Sequence, residues 1–161
     1  MPASDFLGAL RALREGGVEF AVVGGVAAVL NGAPVNTFDL DIVSARGEEN
    51  VAKLVRVLDG IDAIDRVQPD RKVKPNASHL SSPGHHNLIT SCSPLDVLGT
   101  IGRELGYEEL LPHTLEMEVG GGVRVRVLDL ETIVSLKEQL AGAKDLAVLP
   151  VLRRTLEQKG K

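Results

Sequence analysis

One stretch, residues 20–43, constrains the fold of this chain more than any other; it reads FAVVGGVAAVLNGAPVNTFDLDIV. It begins with a short apolar, β-branched run that has the length of a strand. Gly24 and Gly25 follow directly, and small apolar residues then continue to Leu30. After a loop comes a second apolar strand, which carries Asp39 and Asp41. The stretch therefore predicts a strand, a glycine turn, a short helix and an acidic strand.

The residue types in this stretch are those of a site for phosphate and metal. Acids at positions i and i+2 of a strand project from the same face, about 6.6 Å apart along it. Two carboxylates at that separation can bind one divalent cation. Gly24 and Gly25 lack a Cβ, so their backbone can approach a phosphate closely. Thr37, just before the acidic strand, either hydrogen-bonds locally or contacts a phosphate.

The order Val23-Gly24-Gly25, thirteen residues, Asp39-Leu40-Asp41-Ile42 resembles the signature of the polymerase-β-like minimal nucleotidyltransferase superfamily. That signature has an apolar residue, Gly, then Gly or Ser, a spacer of roughly nine to thirteen residues, and Asp, apolar, Asp or Glu, apolar. The resemblance implies a single α/β (α+β) domain with a mixed, twisted sheet and helices mainly on one face. No Gly-Lys-Ser/Thr or G-x-G-x-x-G motif is present, which argues against P-loop and Rossmann sites.

In this superfamily a third carboxylate comes from a later strand beside the Asp-x-Asp strand, and Asp96 is the best match. Asp96 lies within the apolar run LDVL, where an acid is costly unless it is paired, metal-bound or at an edge. Asp129 competes for this role. However, Asp129 opens a helical pattern, so it is better interpreted as an N-cap.

The C-terminal segment 127–152, VLDLETIVSLKEQLAGAKDLAVLPVL, is similar to one branch of the superfamily, the bacterial abortive-infection toxin-type nucleotidyltransferases. Lys137, Lys144 and Asp145 match positions of that branch. The branch often has an Arg shortly before the Lys-Asp pair, where this chain has Gly142 and Ala143. The resemblance implies that Lys137 and Lys144 bind the nucleotide; the alternative is that both are surface charges of helices.

The function implied is a metal-dependent nucleotidyltransferase that moves an NMP from an NTP to an acceptor hydroxyl of a tRNA, a protein or a small molecule. Asp39, Asp41 and Asp96 would bind Mg²⁺ or Mn²⁺, and the glycines would cradle phosphates. The toxin branch adds a cognate antitoxin as an expected partner. A first alternative is a catalytically inactive module on the same fold that binds a nucleotide or a partner. A second is an unrelated α/β domain whose Asp96 lies far from the other two acids.

Length and composition further narrow the classes of protein to which this chain can belong. A length of 161 residues predicts one domain, with helices of residues 129–158 packing on it. The net charge of −4 and 2% aromatics argue against a general nucleic-acid binder. The single cysteine, Cys92, cannot form an internal disulfide and fits a reducing compartment. No apolar run has membrane-spanning length and no signal peptide is evident, so a cytoplasmic location without membrane contact is expected.

The remaining pattern predicts the other elements. Strands are expected near residues 19–23, 38–43, 86–91, 95–98, 115–119 and 123–128. In the last two, Glu116 and Glu118 would face Arg124 and Arg126 across a hairpin. A final helix from about residue 143 would be interrupted at Pro150. Residues 59–84 are the least periodic, and their basic cluster either is solvated or follows a substrate; the cluster consists of Arg66, Arg71, Lys72 and Lys74.

Overall fold

A computed structural model describes residues 4–140 and 143–160, without the side chains of residues 140–145. The strands are β1 (Phe20–Val23), β2 (Leu40–Ser44), β3 (Ile64–Asp65), β4 (His85–Ile89), β5 (Pro94–Leu98), β6 (Thr114–Gly120) and β7 (Val123–Leu128). The helices are α1 (Phe6–Glu15), α2 (Gly24–Leu30), α3 (Glu48–Gly60), α4 (Ala77–Leu80), α5 (Tyr107–Leu110), α6 (Leu130–Leu140) and α7 (Ala143–Lys159).

The strands form one mixed sheet in the order β3-β4-β5-β2-β1-β7-β6. The pairs β1–β7 and β2–β5 are parallel, and the others are antiparallel. The predicted α/β class with a mixed sheet is therefore confirmed. The strand predicted at 38–43 begins at Leu40, so Asp39 precedes β2 instead of lying within it. β3 was not predicted, because two residues give no periodicity.

The register puts the acids on the opposite face of the sheet from Ile42. Val22 faces Ile42 across β1 and β2, and Ile42 faces Val97 across β2 and β5. All three side chains are buried, and they share the apolar face with buried residues of every central strand. The opposite face carries Asp41 and Asp96, which are partners in the same register, together with buried apolar residues of β1 and β2.

The apolar face is covered by helices whose hydrophobic stripes point inward. α1 buries Leu10 and Leu13, and α3 buries Leu54 and Leu58 at helical spacing. α1 contacts both α3 and β7, whereas α2, α6 and α7 contact one another in a second group. The second group lies at the end of β1 and β2, next to the acidic residues.

Two side chains join α2 to distant parts of the chain. Asn31, directly after α2, is buried, and its amide donates to the carbonyls of Ala27 and Leu128. Its Oδ1 accepts a hydrogen bond from Lys159 Nζ at 2.7 Å, in the last turn of α7. This network anchors both ends of the second helix group to the sheet.

One of two predictions about the C-terminal helices is confirmed by the structure, and the other is not. Asp129 caps α6 as predicted, with Oδ1 accepting from the backbone N–H of Thr132 at 2.7 Å. The predicted interruption at Pro150 is wrong, since α7 continues through this residue. Leu149 and Leu152 on either side are buried, so packing holds both halves of the helix in line. Among the described helices, none is long and apolar enough to cross a membrane.

Candidate active site

The register of β2 and β5 brings the three predicted acids to one place. Asp41 and Asp96 are direct partners on adjacent parallel strands, so their side chains project from the same face. Asp39 lies two residues before Asp41 and shares an arginine partner with Asp96. The proximity of the three acids contradicts the alternative of an unrelated domain with scattered surface acids.

The carboxyl group of Asp41 is the most perturbed of the three. Its pKa is raised to about 7, first by burial, then by a hydrogen bond and charge repulsion from Asp96, and next by the charge of Asp39. The Arg66 guanidinium lowers this pKa but does not offset the other causes. Asp41 Oδ1 is buried without a hydrogen-bond partner. A buried carboxylate oxygen without a donor is a position at which a cation would be favourable.

Arg66 is the counter-charge of this cluster. Its Nη2 lies 2.6 Å from Asp96 Oδ1, and its Nη1 lies 3.5 Å from Asp39 Oδ1. Nη1 also donates to the carbonyl of Leu88, and the backbone N–H of Arg66 donates to the carbonyl of Asn87. The sequence placed Arg66 only in a general basic cluster. Its specific role was missed because β3, which positions it beside β4, gives no pattern.

Gly24 and Gly25 lie where β1 passes into α2, and protein side chains occupy the space that a Cβ on either residue would need. Gly24 adopts a φ of +67°, and a Cβ at this position would clash with the Asp41 carboxylate. A Cβ on Gly25 would lie 2.7 Å from Thr37 Oγ1. The glycines therefore allow the acidic strand and the Thr37 loop to approach the start of α2. The Thr37 hydroxyl donates locally, to the carbonyl of Asp39 at 3.1 Å.

A cleft of about 280 Å³ opens beside these residues. It brings together most of the predicted site on a single surface: Gly24, Gly25, Thr37, Asp39, Asp41 and Lys137. Asp96 does not line this cleft; it lies beside Asp41 on the neighbouring strand β5. Lys144 belongs to α7, but its side chain lies outside the described residues. Phe38, Val148 and Leu152 form an apolar part of the lining, which the sequence did not predict.

A second, smaller cleft of about 160 Å³ shares Gly24, Asp41 and Lys137 with the first. Its lining is mostly apolar and includes Leu98, Ile101 and Leu136. Asp41 and Lys137 therefore line both clefts.

The donor set can be tested against the metal that the resemblance implies. In the part of the chain that the structure describes, no three or more His, Cys, Asp or Glu side chains are arranged to hold a metal ion. The guanidinium of Arg66 engages Asp39 and Asp96 instead. Even so, the three acids offer only hard oxygens, and Asp41 Oδ1 lacks a donor. This chemistry fits Mg²⁺ or Mn²⁺ and does not fit zinc.

Comparisons with known proteins bear on the fold. No family model matches the chain, and no curated protein matches it. The structure is similar to the crystal structure of a "putative nucleotidyltransferase" from Thermotoga maritima, with a TM-score of 0.55 and 18% identity. The match covers 94% of this chain and 90% of that one. The chain therefore has a nucleotidyltransferase-like fold over nearly its whole length.

Proposed function

We propose that this protein is a metal-dependent nucleotidyltransferase that transfers an NMP from an NTP to an acceptor hydroxyl. The observation that carries the proposal is the pairing of Asp41 with Asp96 in register, directly beside Gly24. Like charges opposite each other on adjacent strands destabilise a sheet, so a structural role does not account for them. A cation bound between the two carboxylates would attract both and so offset their mutual repulsion. The similar Thermotoga structure supports the same class of reaction.

In this proposal each residue has a separate task. Asp39, Asp41 and Asp96 would hold Mg²⁺ or Mn²⁺, which would neutralise the triphosphate and lower the pKa of the acceptor hydroxyl. Gly24 and Gly25 would let the β- and γ-phosphates approach the backbone, and Lys137 would offset their charge. The acceptor oxygen forms the new bond to the α-phosphorus as the bond to pyrophosphate breaks. Lys144 is proposed as a second nucleotide contact.

The acceptor is proposed from the resemblance of segment 127–152 to abortive-infection toxin-type enzymes. That resemblance favours a hydroxyl of tRNA or protein, with a cognate antitoxin as partner, over a small-molecule acceptor. The net charge of −4 disfavours broad contact with a polynucleotide backbone.

The test is transfer of label from each α-labelled NTP to candidate acceptors in the presence of Mg²⁺ or Mn²⁺. Asp39→Asn and Asp41→Asn should abolish transfer, because each removes a cation ligand. Asp70→Asn makes the same chemical change at an exposed position and should transfer normally. Equal transfer by Asp41→Asn and the unmodified protein would refute the proposal.

A second candidate is a catalytically inactive module that binds a nucleotide or a protein partner. It is favoured by Arg66, whose guanidinium contacts both Asp39 and Asp96 and balances one of their two negative charges. Calorimetry with ATP separates the two candidates. Binding that requires Mg²⁺ supports the transferase, whereas binding that is equal with chelator supports the inactive module.

A further inference from the structure

We propose that the ring of Phe38 is the stacking platform for the base of the nucleotide. This inference rests on the proposed function and assigns the part of the cleft that the phosphates would not use. The side chain of Phe38 lines the same cleft as Gly24 and Asp41 and follows Thr37 in the chain.

The exposure of Phe38 sets it apart from the other aromatic residues. The chain has three Phe and one Tyr, all among the described residues. Phe20 is buried, and Phe6 and Tyr107 are half-buried in contact with the core. Phe38 is 78% exposed. A single exposed ring on a flat surface needs no explanation, but this one adjoins a carboxylate-lined cleft.

The two halves of the cleft match the two halves of a nucleotide. One half has glycine backbone, Asp39, Asp41 and Lys137, which suit a cation-bound triphosphate. The other half is apolar, with Phe38 on one side and Val148 and Leu152 of α7 also in the lining. A nucleobase is a flat, weakly polar group of the kind that stacks on aromatic rings. A second protein chain would need a larger apolar surface than one ring beside a polar cleft.

The local structure fixes the backbone on both sides of Phe38. The Thr37 hydroxyl donates to the carbonyl of Asp39, which closes a short loop around Phe38. The Thr37 side chain also packs against Gly25, because glycine leaves room for it. Residues on both sides of Phe38 are thus held, so stacking would require little further ordering. Asn36 lines the same cleft and offers an amide donor and acceptor for the polar edge of the base.

Stacking makes a prediction that other roles of Phe38 do not. Phe38→Leu keeps the apolar character and removes the ring, whereas Phe38→Tyr keeps the ring. Because Phe38 is exposed, both variants should fold normally. Leu115→Ala is the control, since Leu115 is an exposed apolar residue of β6 that does not line the cleft.

The experiment is calorimetry with Mg²⁺, using the tightest-binding of ATP, GTP, CTP and UTP, and inorganic tripolyphosphate, which has no base. We expect Phe38→Leu to weaken NTP binding by about tenfold. Phe38→Tyr and Leu115→Ala should stay within about twofold of the unmodified protein. Tripolyphosphate should bind all four proteins equally.

Three results would contradict the inference, and they are distinguishable. Unchanged NTP binding by Phe38→Leu would exclude stacking while leaving the proposed function intact, and would point to a protein surface at Phe38. An equal loss of NTP and tripolyphosphate binding would show that Phe38 shapes the phosphate site instead of the base site. If the unmodified protein binds neither probe, the proposed function fails and the inference fails with it.

Discussion

The β6–β7 hairpin and the β2–β5 pair both carry charged residues on the face of the sheet that bears Asp41. They differ in the charge of the residue on the neighbouring strand that faces each one. In the β6–β7 hairpin, glutamates face arginines, and Arg124 Nε lies 3.1 Å from Glu116 Oε1. In the β2–β5 pair, Asp41 faces another acid, Asp96. The hairpin side chains are about half exposed, whereas the Asp96 side chain is only 15% exposed.

The two regions differ in whether the charges that face each other across the strands are opposite or alike. Opposite charges in register neutralise each other, so the charged residues of the hairpin need no role beyond that of a solvated surface. Like charges in register oppose folding, and burial increases the cost. The acidic pair is relieved in part by the Asp41–Asp96 hydrogen bond and by the Arg66 guanidinium, and under the proposed function a bound cation would relieve the rest.

The largest difference is expected in activity. Asp96→Asn removes one proposed cation ligand and should lower transfer at least about 100-fold, in line with the loss of a key electrostatic group. Glu116→Gln removes a carboxylate from the hairpin and should leave transfer within about twofold. The measurement is the initial rate of label transfer at saturating Mg²⁺. Equal effects of the two substitutions would remove the functional distinction between the two charged regions.

The next effect is on stability and its pH dependence in the metal-free protein. The folded-state pKa of Asp41 is about 7, above the value of 3.8 for free Asp, so the folded protein retains a proton that the unfolded chain releases. The free energy of unfolding should therefore fall as pH rises from about 4 to 7.

Asp41→Asn should remove this fall, because an amide does not titrate. At pH 7 to 8 we expect the variant to be more stable by about 2 kcal/mol, a value reduced for partial solvent screening. Denaturant unfolding with chelator, from pH 4 to 8, measures both proteins. Parallel pH profiles would mean that Asp41 titrates normally and that the repulsion is absent.

A smaller effect is expected from the counter-charge. Arg66→Ala leaves Asp39 and Asp96 without their counter-charge and should lower metal-free stability by about 1–2 kcal/mol. Added Mg²⁺ should restore stability more in this variant than in the unmodified protein, since the ion replaces the lost charge. Thermal unfolding with and without Mg²⁺ is the measurement.

Lys74→Ala is the matched control, because Lys74 lies on the same segment and pairs with Asp59 at 3.0 Å in an exposed position. Its loss should leave stability nearly unchanged, because water and salt screen an exposed ion pair. If Mg²⁺ stabilises both variants equally, the acids do not bind the ion and Arg66 is a structural residue.

The smallest effect on stability is expected for the ion pair between Glu116 and Arg124 in the β6–β7 hairpin. A double-mutant cycle of Glu116→Ala and Arg124→Ala should give a coupling energy of about 0.2–1 kcal/mol, because both side chains are exposed. Salt should reduce this coupling. A coupling that stays the same in 1 M salt would indicate that the hairpin pair is not a screened surface pair.

Much of the fold followed from periodicity and glycine position. The strand at residues 123–128 was predicted at its observed bounds, because Val123, Val125 and Val127 alternate with arginines and a glycine turn precedes them. The position of Asp96 beside Asp41 was predicted through the resemblance, since local pattern alone does not specify which strands pair.

The parts that could not be predicted depend on contacts between distant residues. Arg66 reaches the acids from a two-residue strand, and its partner Asp96 is 30 residues away in the chain. Phe38 was expected to begin the second strand, but β2 begins only at Leu40. Pro150 was expected to interrupt the last helix, yet α7 continues through it, with buried neighbours that offset the lost hydrogen bond.

The hydrogen bond between Asn31 and Lys159 has a consequence for the order in which the site is completed during synthesis. All three acids have been made once residue 96 has been added. The α7 wall of the cleft and the lysine that ties it to α2 are made later, with residues 143–159. A nascent chain therefore carries the full set of acids well before the helix that walls their cleft has been made.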